Sequence, residues 1–382
     1  MTFAIWHNYI TFESTNHLLY IMSTVKLPFY ARLALTLMAI VLIFVIMMEG
    51  SNIFIPLFFA LLISILLYPL NNFFERKLRL GRLSAAVISV VLFLSALTGF
   101  IYFLTLQLIG FSSDIPQLKK RFEQMFDSLQ HWLSYKLNIN NKEQTDYINK
   151  SINGMIGSVA HSLSNIFVSV TGILLLMVFI FIFTFFMLYH RRLLRRFVLH
   201  LFKIQHREKV NEVIMETKLI INSYVLGLLI EMLIVSVVTC SVLMIMGIQY
   251  ALLLGVMSAV LNIIPYLGIY TSIVICTLVT IANSTGNKAL EVAVGLFVIH
   301  LLDSNILFPR IVGGRVKMNP FITIIAVIVG EFIWGVPGMF LFIPIAGILK
   351  LVCDRVDGME AWGILLGVEE HPKKIKKINL AS

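Results

Sequence analysis

The segment MLIVSVVTCSVLMIMGIQYALLLGVMSAVLNIIPYLGIYTSIVICTLVTIANSTGN, residues Met232–Asn287, contains no Asp, Glu, Lys or Arg. A helix needs about 20 mostly apolar residues to cross the hydrocarbon core of a bilayer, and this segment is long enough for more than one such crossing. Lipid offers no hydrogen-bond partners, so a spanning chain must be a helix or a closed barrel. Barrel strands alternate apolar and polar residues, which this segment does not do. It therefore predicts membrane-spanning α-helices.

The composition of the whole chain agrees with this prediction. Of its 382 residues, 59% are apolar and 13% are charged, whereas soluble domains contain about 45–50% apolar and about 25% charged residues. These values exclude a soluble globular protein and a disordered chain. The net charge is +10, but Lys and Arg stand in short runs between apolar segments. We therefore expect a bilayer, and no nucleic acid, as the partner of the basic residues.

The apolar segments fall into two groups. Five are candidates for complete spans, namely Leu33–Met48, which is short and can borrow flanking residues, Ile53–Leu70, Ser84–Ile109, Ile166–Tyr189 and Val225–Met246. The later ones are shorter and end at Pro or Gly, namely Ala251–Ile264, Ile269–Ala282, Ala289–Leu302, Phe321–Trp334 and Met339–Val352. Such lengths suit half-helices and re-entrant hairpins as well as full spans, so the number of crossings stays open at roughly six to ten. The fold predicted is an all-α, polytopic membrane protein with broken or re-entrant helices in its C-terminal half.

Basic residues gather in every second connecting segment. Arg76–Arg82 and Arg191–Arg196 are rich in Arg, whereas the alternate loops Glu49–Asn52 and Gly247–Tyr250 contain no Lys or Arg. Positively charged loops remain on the cytoplasmic side. A last basic run at 373–377 continues the alternation, so we expect both termini to be cytoplasmic.

Two polar segments show helical periodicity. Between residues 111 and 165, apolar side chains recur every three or four positions, at Ile115, Leu118, Phe122, Met125, Phe126, Leu129, Trp132 and Leu133. This pattern predicts an amphipathic helical insert on the extracytoplasmic side, which either packs on the membrane core or contacts another subunit. Arg191–Asn222 predicts a second amphipathic helix, with a basic face along the anionic inner leaflet.

These boundaries predict six parts in chain order. They are an N-terminal extension (1–25), spans one to three (26–110), the extracytoplasmic insert (111–165), span four with the basic amphipathic helix (166–222), a broken-helix transport core (223–353) and a basic cytoplasmic tail (354–382).

Ionisable residues inside apolar segments are candidates for function, because a charge in the bilayer is costly. Glu231 lies in the fifth span, where either a packing contact or proton transfer would account for it. Asp303 follows an apolar segment and precedes Asn305, Pro309 and Arg310. We expect Asp303 and Asn305 to coordinate a coupling ion, and Arg310 to pair with Asp303 or with an anionic substrate. The alternative is a helix cap with an Asp–Arg pair that only shapes the turn.

A second candidate is Asn262–Gly268. Pro265 removes a helical hydrogen bond, and Gly268 permits backbone conformations that other residues avoid. Asn262 would add a side-chain ligand to the ion site. Discontinuous helices of this kind build the midplane sites of transporters, although a proline kink used only for packing remains the alternative.

Chemistry of other kinds has little support in the sequence. The chain has no HExxH, P-loop or GxSxG motif, and its three cysteines are far apart within apolar runs. We therefore expect no enzyme activity, no metal centre and no cofactor.

Three stretches resemble the autoinducer-2 exporter (AI-2E) family: PLFFALLISILLYPLNNFFE (Pro56–Glu75), YALLLGVMSAVLNIIPYLG (Tyr250–Gly268), and the segment Leu302–Lys350 with DSNILFPRIVGGRVKMNPF and GVPGMFLFIPIAGILK. The resemblance covers roughly residues 25–355. It implies an all-helical transporter of the bacterial inner membrane that forms a homo-oligomer. Members are associated with export of the furanone signal autoinducer-2, and others with Na⁺ or Li⁺/H⁺ antiport.

Taken together, the sequence predicts a secondary transporter or exporter of a small solute such as an autoinducer-2-like signal, with possible coupling to an ion. A Na⁺(Li⁺)/H⁺ antiporter is the first alternative. In that case Asp303 or Glu231 itself would exchange protons. A membrane scaffold that binds a partner and transports nothing is the second alternative.

Overall fold

The computed structural model describes residues 28–112, 175–264, 267–284, 286–311 and 318–368, together with Lys120, Arg121 and Gln124. Within these ranges the regular elements are helices, and the one β-type contact is an isolated bridge between Met318 and Gly367. Six of the described helices are long and apolar enough to cross a membrane, or seven if one bent pair is a single span. The predicted all-α, polytopic membrane fold is confirmed. The N-terminal extension (1–25), most of the insert (111–165) and the tail beyond residue 368 lie outside the described residues.

The chain divides into two compact units, residues 1–51 and 52–382. The first contains helix α1 (Phe29–Glu49), which follows an extended Pro28. Gly50 ends α1, and its N–H donates to the carbonyl of Ile46 at 2.9 Å. The length of α1, 21 residues, is sufficient for one span.

The second unit opens with the remainder of α2 (Ser51–Arg76), followed by α3 (Arg82–Ser112) and α4 (Leu175–Tyr189). A small apolar core joins these helices, and its buried members are Leu67, Ala86, Val90 and Leu188. At His190 the chain turns by 74° into α5 (Arg191–His200). Helix α5 therefore runs nearly across the direction of the apolar helix that precedes it.

Helix α6 (Arg207–Ile245) follows a short 3₁₀ turn at Ile204–His206 and is 39 residues long. The sequence predicts one amphipathic helix over Arg191–Asn222 and a separate span from Val225. The structure instead divides the basic part into α5 and the first half of α6, and α6 continues into the span without interruption. The reason is local: residues 207–245 contain no Pro and a single Gly, so nothing in them stops a helix.

The C-terminal half consists of shorter helices. These are α7 (Ala251–Leu261), α8 (Leu267–Asn283), α9 (Gly286–Leu302), a π-helical turn (Asp303–Leu307), α10 (Phe308–Ile311), α11 (Pro320–Trp334), α12 (Val336–Arg355) and α13 (Glu360–Leu366). Apolar residues of α6, α7, α8 and α9 form the second core, which includes Leu243, Leu254, Cys276, Val292 and Leu296. Helices α7, α8 and α11 are apolar but shorter than a full span, as the sequence predicts for broken or re-entrant segments.

Helices α11 and α12 form a hairpin whose two backbones touch. Asn319 caps the start of α11 by accepting a hydrogen bond from the N–H of Phe321 at 3.0 Å. Gly335, with φ of +63°, makes the turn into α12. A Cβ on Gly330 would lie 2.3 Å from the carbonyl oxygen of Gly338, so only glycine fits at this crossing.

Candidate functional site

Glu231 lies in the middle of α6 and is 4% exposed. Its neighbours along the helix are apolar, and no ion pair to it occurs among the described residues. A carboxylate at such a position must be neutralised or hydrogen-bonded, because burying it alone is costly. Its partners therefore decide what it does.

Asp303 occupies the first position of the π-helical turn that follows α9, and it is also 4% exposed. The N–H of Phe308 donates to the Asp303 carbonyl, five residues earlier. Ser304, Asn305 and Pro309 oppose a regular helix and so predict a break at this point, but the helix continues to Ile311 with one turn widened. The wider turn accommodates Pro309, which has no N–H and would clash with the preceding turn of a regular α-helix. Turns of this type occur frequently at functional sites.

Asn262 joins the two acids. It stands at the C-terminal end of α7, and its Nδ2 donates to Glu231 Oε1 at 3.2 Å and to Asp303 Oδ2 at 2.9 Å. One amide nitrogen thus uses both of its hydrogens on two carboxylates. The structure brings together three predicted site residues from three separate helical segments.

The other oxygen of each acid has no such partner. Glu231 Oε2 and Asp303 Oδ1 are buried and accept no hydrogen bond from the described residues. Two carboxylates held by the same neutral amide repel each other strongly when both are ionised. A bound proton or small cation would relieve this repulsion, and these two buried oxygens are the atoms that could bind it.

His300 lies one helical turn before Asp303. Its Nδ1 is buried without a hydrogen-bond partner among the described residues, and its ring meets that of Tyr270 at a centroid distance of 6.0 Å. The Tyr270 side chain is exposed. His300 thus places a buried ring nitrogen one helical turn from Asp303.

The interruption between α7 and α8 places Asn262. Helix α7 ends at Leu261 and α8 begins at Leu267, where the sequence predicts a broken helix. The start of α8 presses so closely on the end of α7 that a Cβ on Gly268 would lie 1.7 Å from the Leu261 carbonyl oxygen. Pro265, the other predicted residue of this segment, lies outside the described residues.

Asn305 and Arg310 do not join the site. The Asn305 side chain is exposed and donates from Nδ2 to the Leu301 carbonyl at 2.8 Å. Arg310 is exposed too, and it forms no ion pair with Asp303 or with another acid in the described part of the chain. Because the helix continues from Asp303 to Arg310, seven residues of rise separate the two by about 10 Å along its axis.

A second polar cluster, which the sequence did not predict, lies where α2, α5 and α6 meet. Arg191 Nη2 bonds to Glu75 Oε2 at 2.6 Å, and Asn71 Nδ2 donates to Glu75 Oε1 at 3.1 Å. Lys218 and Arg191 both face the ring of Tyr68. A signal existed in the sequence, since Glu75 is the one acid within a basic segment, but the partner 116 residues away could not be read from it.

The described residues offer few ligands for a metal ion. Among them, no group of three or more His, Cys, Asp and Glu side chains could hold a metal ion. The acid pair with Asn262 has two carboxylates and one amide. Such a donor set suits a proton or a weakly held monovalent cation better than a resident transition metal.

Comparison with known proteins gives one consistent result. The profile of AI-2E family transporters matches residues 33–357. The chain is 25% identical over 313 residues to the putative transport protein YrrI of Bacillus subtilis, which covers 79% of this chain and 86% of that protein. It is 24% identical over 341 residues to the putative transport protein YhhT of Escherichia coli K12, covering 88% and 94%. A shorter match, 26% identical over 133 residues, covers 35% of this chain and 39% of the AI-2 transport protein TqsA of Escherichia coli K12.

Proposed function

The chain belongs to the AI-2E family of transporters, and from that premise we propose that it is a secondary transporter coupled to a proton or a monovalent cation through Glu231, Asn262 and Asp303. The observation that carries the proposal is the pair of buried carboxylates that share one amide nitrogen and have no cationic side chain bonded to them among the described residues. Intramembrane ionisable residues typically mark ion and substrate pathways.

The coupling follows from charge. With one proton or cation bound, the pair keeps a single negative charge, and both hydrogen bonds from Asn262 are retained. When the bound charge leaves, the two carboxylates repel each other, and Asn262 must release one of them. Because Asn262 lies at the α7–α8 interruption, its release moves that junction relative to α6 and to the π turn. Binding and loss of the ion thereby favour two different arrangements of the broken helices.

The transported solute is a small molecule, and autoinducer-2 is the first candidate because a relative is named for its transport. Na⁺(Li⁺)/H⁺ antiport is a second candidate function. The same two carboxylates could exchange a cation for protons, and no other solute would be needed. We further propose a bacterial inner-membrane location, cytoplasmic termini, a homo-oligomeric assembly and no enzymatic activity. The alternation of basic loops and the bacterial origin of the relatives support the location and orientation.

A flux assay tests the proposal. Purified protein in liposomes, with a pH dye inside and imposed Na⁺ or H⁺ gradients, is supplied with autoinducer-2 or with Na⁺ or Li⁺ alone. We expect gradient-dependent flux in the parent protein. Flux should fall by about tenfold or more in Asp303→Asn and in Glu231→Gln, since one tenfold step corresponds to only about 1.4 kcal/mol of lost ion affinity.

Glu291→Gln is the matched control, because Glu291 is an exposed acid on α9, the helix that leads to Asp303. It should transport at the parent rate. Flux with Na⁺ or Li⁺ alone would favour antiport, whereas flux that requires autoinducer-2 would favour solute export. Parent-level flux in Asp303→Asn, with normal protein yield, would contradict the proposed role of the pair.

A further inference from the structure

A basic cavity lies where the start of α3 meets the bend between α4 and α5. Its volume is about 640 Å³, and its walls carry three guanidinium groups, Arg82, Arg192 and Arg196, beside Leu83, Tyr189 and Leu193. The cavity is remote in sequence and in elements from the acid pair. It lies at the junction of Arg-rich segments that the sequence places on the cytoplasmic side.

The three arginines of this cavity have no acidic partner in the part of the chain that the structure describes. Within the described ranges, none of Arg82, Arg192 and Arg196 makes an ion pair. The other arginines of α5 are engaged with the protein: Arg191 with Glu75 at 2.6 Å, and Arg195 with Asn211 Oδ1 at 2.7 Å. Of the four arginines of α5, two therefore bond to the protein and two face the cavity. The two that face the cavity, Arg192 and Arg196, are one helical turn apart. Three cations around one cavity attract an anion.

The surroundings of the cavity show what kind of anion fits. Leu193 and Phe197 of α5 and Leu201, which directly follows α5, stand at four-residue spacing, and all three side chains are exposed. An exposed apolar stripe beside a basic cavity is costly in water but suits acyl chains. The 74° bend sets α5 across the direction of α4, which places this stripe along the membrane surface if α4 spans the bilayer.

We propose that this cavity is a binding site for the phosphate of an anionic phospholipid. The phosphate bonds to Arg82, Arg192 and Arg196, since guanidinium groups match phosphate geometry. The acyl chains of the same lipid lie against Leu193 and Phe197. The site holds the bend between α4 and α5 at the headgroup level, and it does not depend on the proposed coupling at the acid pair.

Lipid titration of the purified protein in a neutral detergent tests this assignment. Bound phosphatidylglycerol is counted by native mass spectrometry, with phosphatidylcholine as the zwitterionic comparison and inorganic phosphate as the soluble anion. We expect retained phosphatidylglycerol and little phosphatidylcholine. Arg192→Gln/Arg196→Gln should weaken phosphatidylglycerol binding by about tenfold or more. Arg82→Gln, which removes one charge instead of two, should weaken it by a smaller factor.

The matched control removes two charges from outside the cavity. Arg76→Gln/Lys203→Gln changes two exposed cations of neighbouring segments and should leave phosphatidylglycerol affinity within about twofold of the parent. Arg192→Lys/Arg196→Lys keeps the charge but loses the planar guanidinium fork, so it should bind phosphatidylglycerol more weakly than the parent and more tightly than the double Gln variant. Equal loss in both double Gln variants would overturn the site, because it would reflect general attraction to a charged surface. Inorganic phosphate that competes fully with phosphatidylglycerol would overturn the lipid assignment.

Discussion

Replacing Gly268 by alanine tests whether the contact between α7 and α8 is as close as the structure shows. A Cβ at this position would lie 1.7 Å from the carbonyl oxygen of Leu261 and 2.4 Å from its carbonyl carbon. Ordinary contact begins at 3.4 Å, so the two backbones must separate by roughly half of that distance. The atoms in the way belong to the main chain and cannot rotate aside.

The expected cost follows from this overlap. Overpacking a well-packed site costs about 1–3 kcal/mol, and a backbone obstacle places Gly268→Ala at the upper end. Alanine regains up to about 1 kcal/mol over glycine through its helix propensity. We therefore expect a net loss of about 2 kcal/mol in the free energy of unfolding. Asn262, which follows Leu261 directly, should also lose its bonds to the two acids, so transport should fall together with stability.

The assay is reversible unfolding in mixed detergent micelles, with gradient-driven flux measured on the same preparations. Gly99→Ala is the matched control, since a Cβ there meets nothing within 4 Å and Gly99 lies inside α3. It should be as stable as the parent or slightly more stable. A Gly268→Ala protein with parent stability and parent flux would refute the close contact and the placement of Asn262 that rests on it.

Three further outcomes are expected. Lys142→Cys and Arg192→Cys, each in a chain without other cysteines, should react with an impermeant reagent from opposite sides of the membrane, and labelling from the same side would contradict the predicted orientation. Glu75→Gln should lower the free energy of unfolding by about 2–3 kcal/mol, because the half-buried Arg191 loses its carboxylate partner, and an unchanged denaturation midpoint would contradict this. Arg355→Gln should cost less, about 1 kcal/mol or below in the same denaturation assay, because its partner Glu212 is exposed and its partner Glu216 is only half-buried. A cost above that of Glu75→Gln would contradict this expectation.

The length of the apolar segments and the positions of Pro and Gly make part of the fold predictable from the sequence. The uncharged run from Met232 to Asn287 predicts membrane helices because lipid excludes other backbone structures. Pro265 and Gly268 predict the interruption that separates α7 from α8. The π turn at Asp303 could not be predicted in the same way. Pro309 indicates that the helix is disturbed, but it does not show whether the helix breaks or widens by one residue.

The candidate site was predictable residue by residue but not as a group. Glu231, Asn262 and Asp303 each stand out as polar residues in apolar segments, yet Asn262 is 31 residues from one acid and 41 from the other. Only packing of α6, α7 and the π turn brings them together. Local sequence also suggested Arg310 as the partner of Asp303, and the continuous helix between them keeps the two apart. Pairing between residues distant in sequence depends on how the helices pack, and the identity of a single residue does not reveal that packing.

Infrared difference spectroscopy of the purified protein measures whether Glu231 and Asp303 share one exchangeable proton or cation. We expect a protonated carboxyl band in the parent that changes when Na⁺ is added or the pH is raised. That change should disappear in Glu231→Gln/Asp303→Asn and persist in Glu291→Gln. A parent spectrum whose carboxyl bands respond to neither Na⁺ nor pH, or a response that survives in the double variant, would contradict the claim.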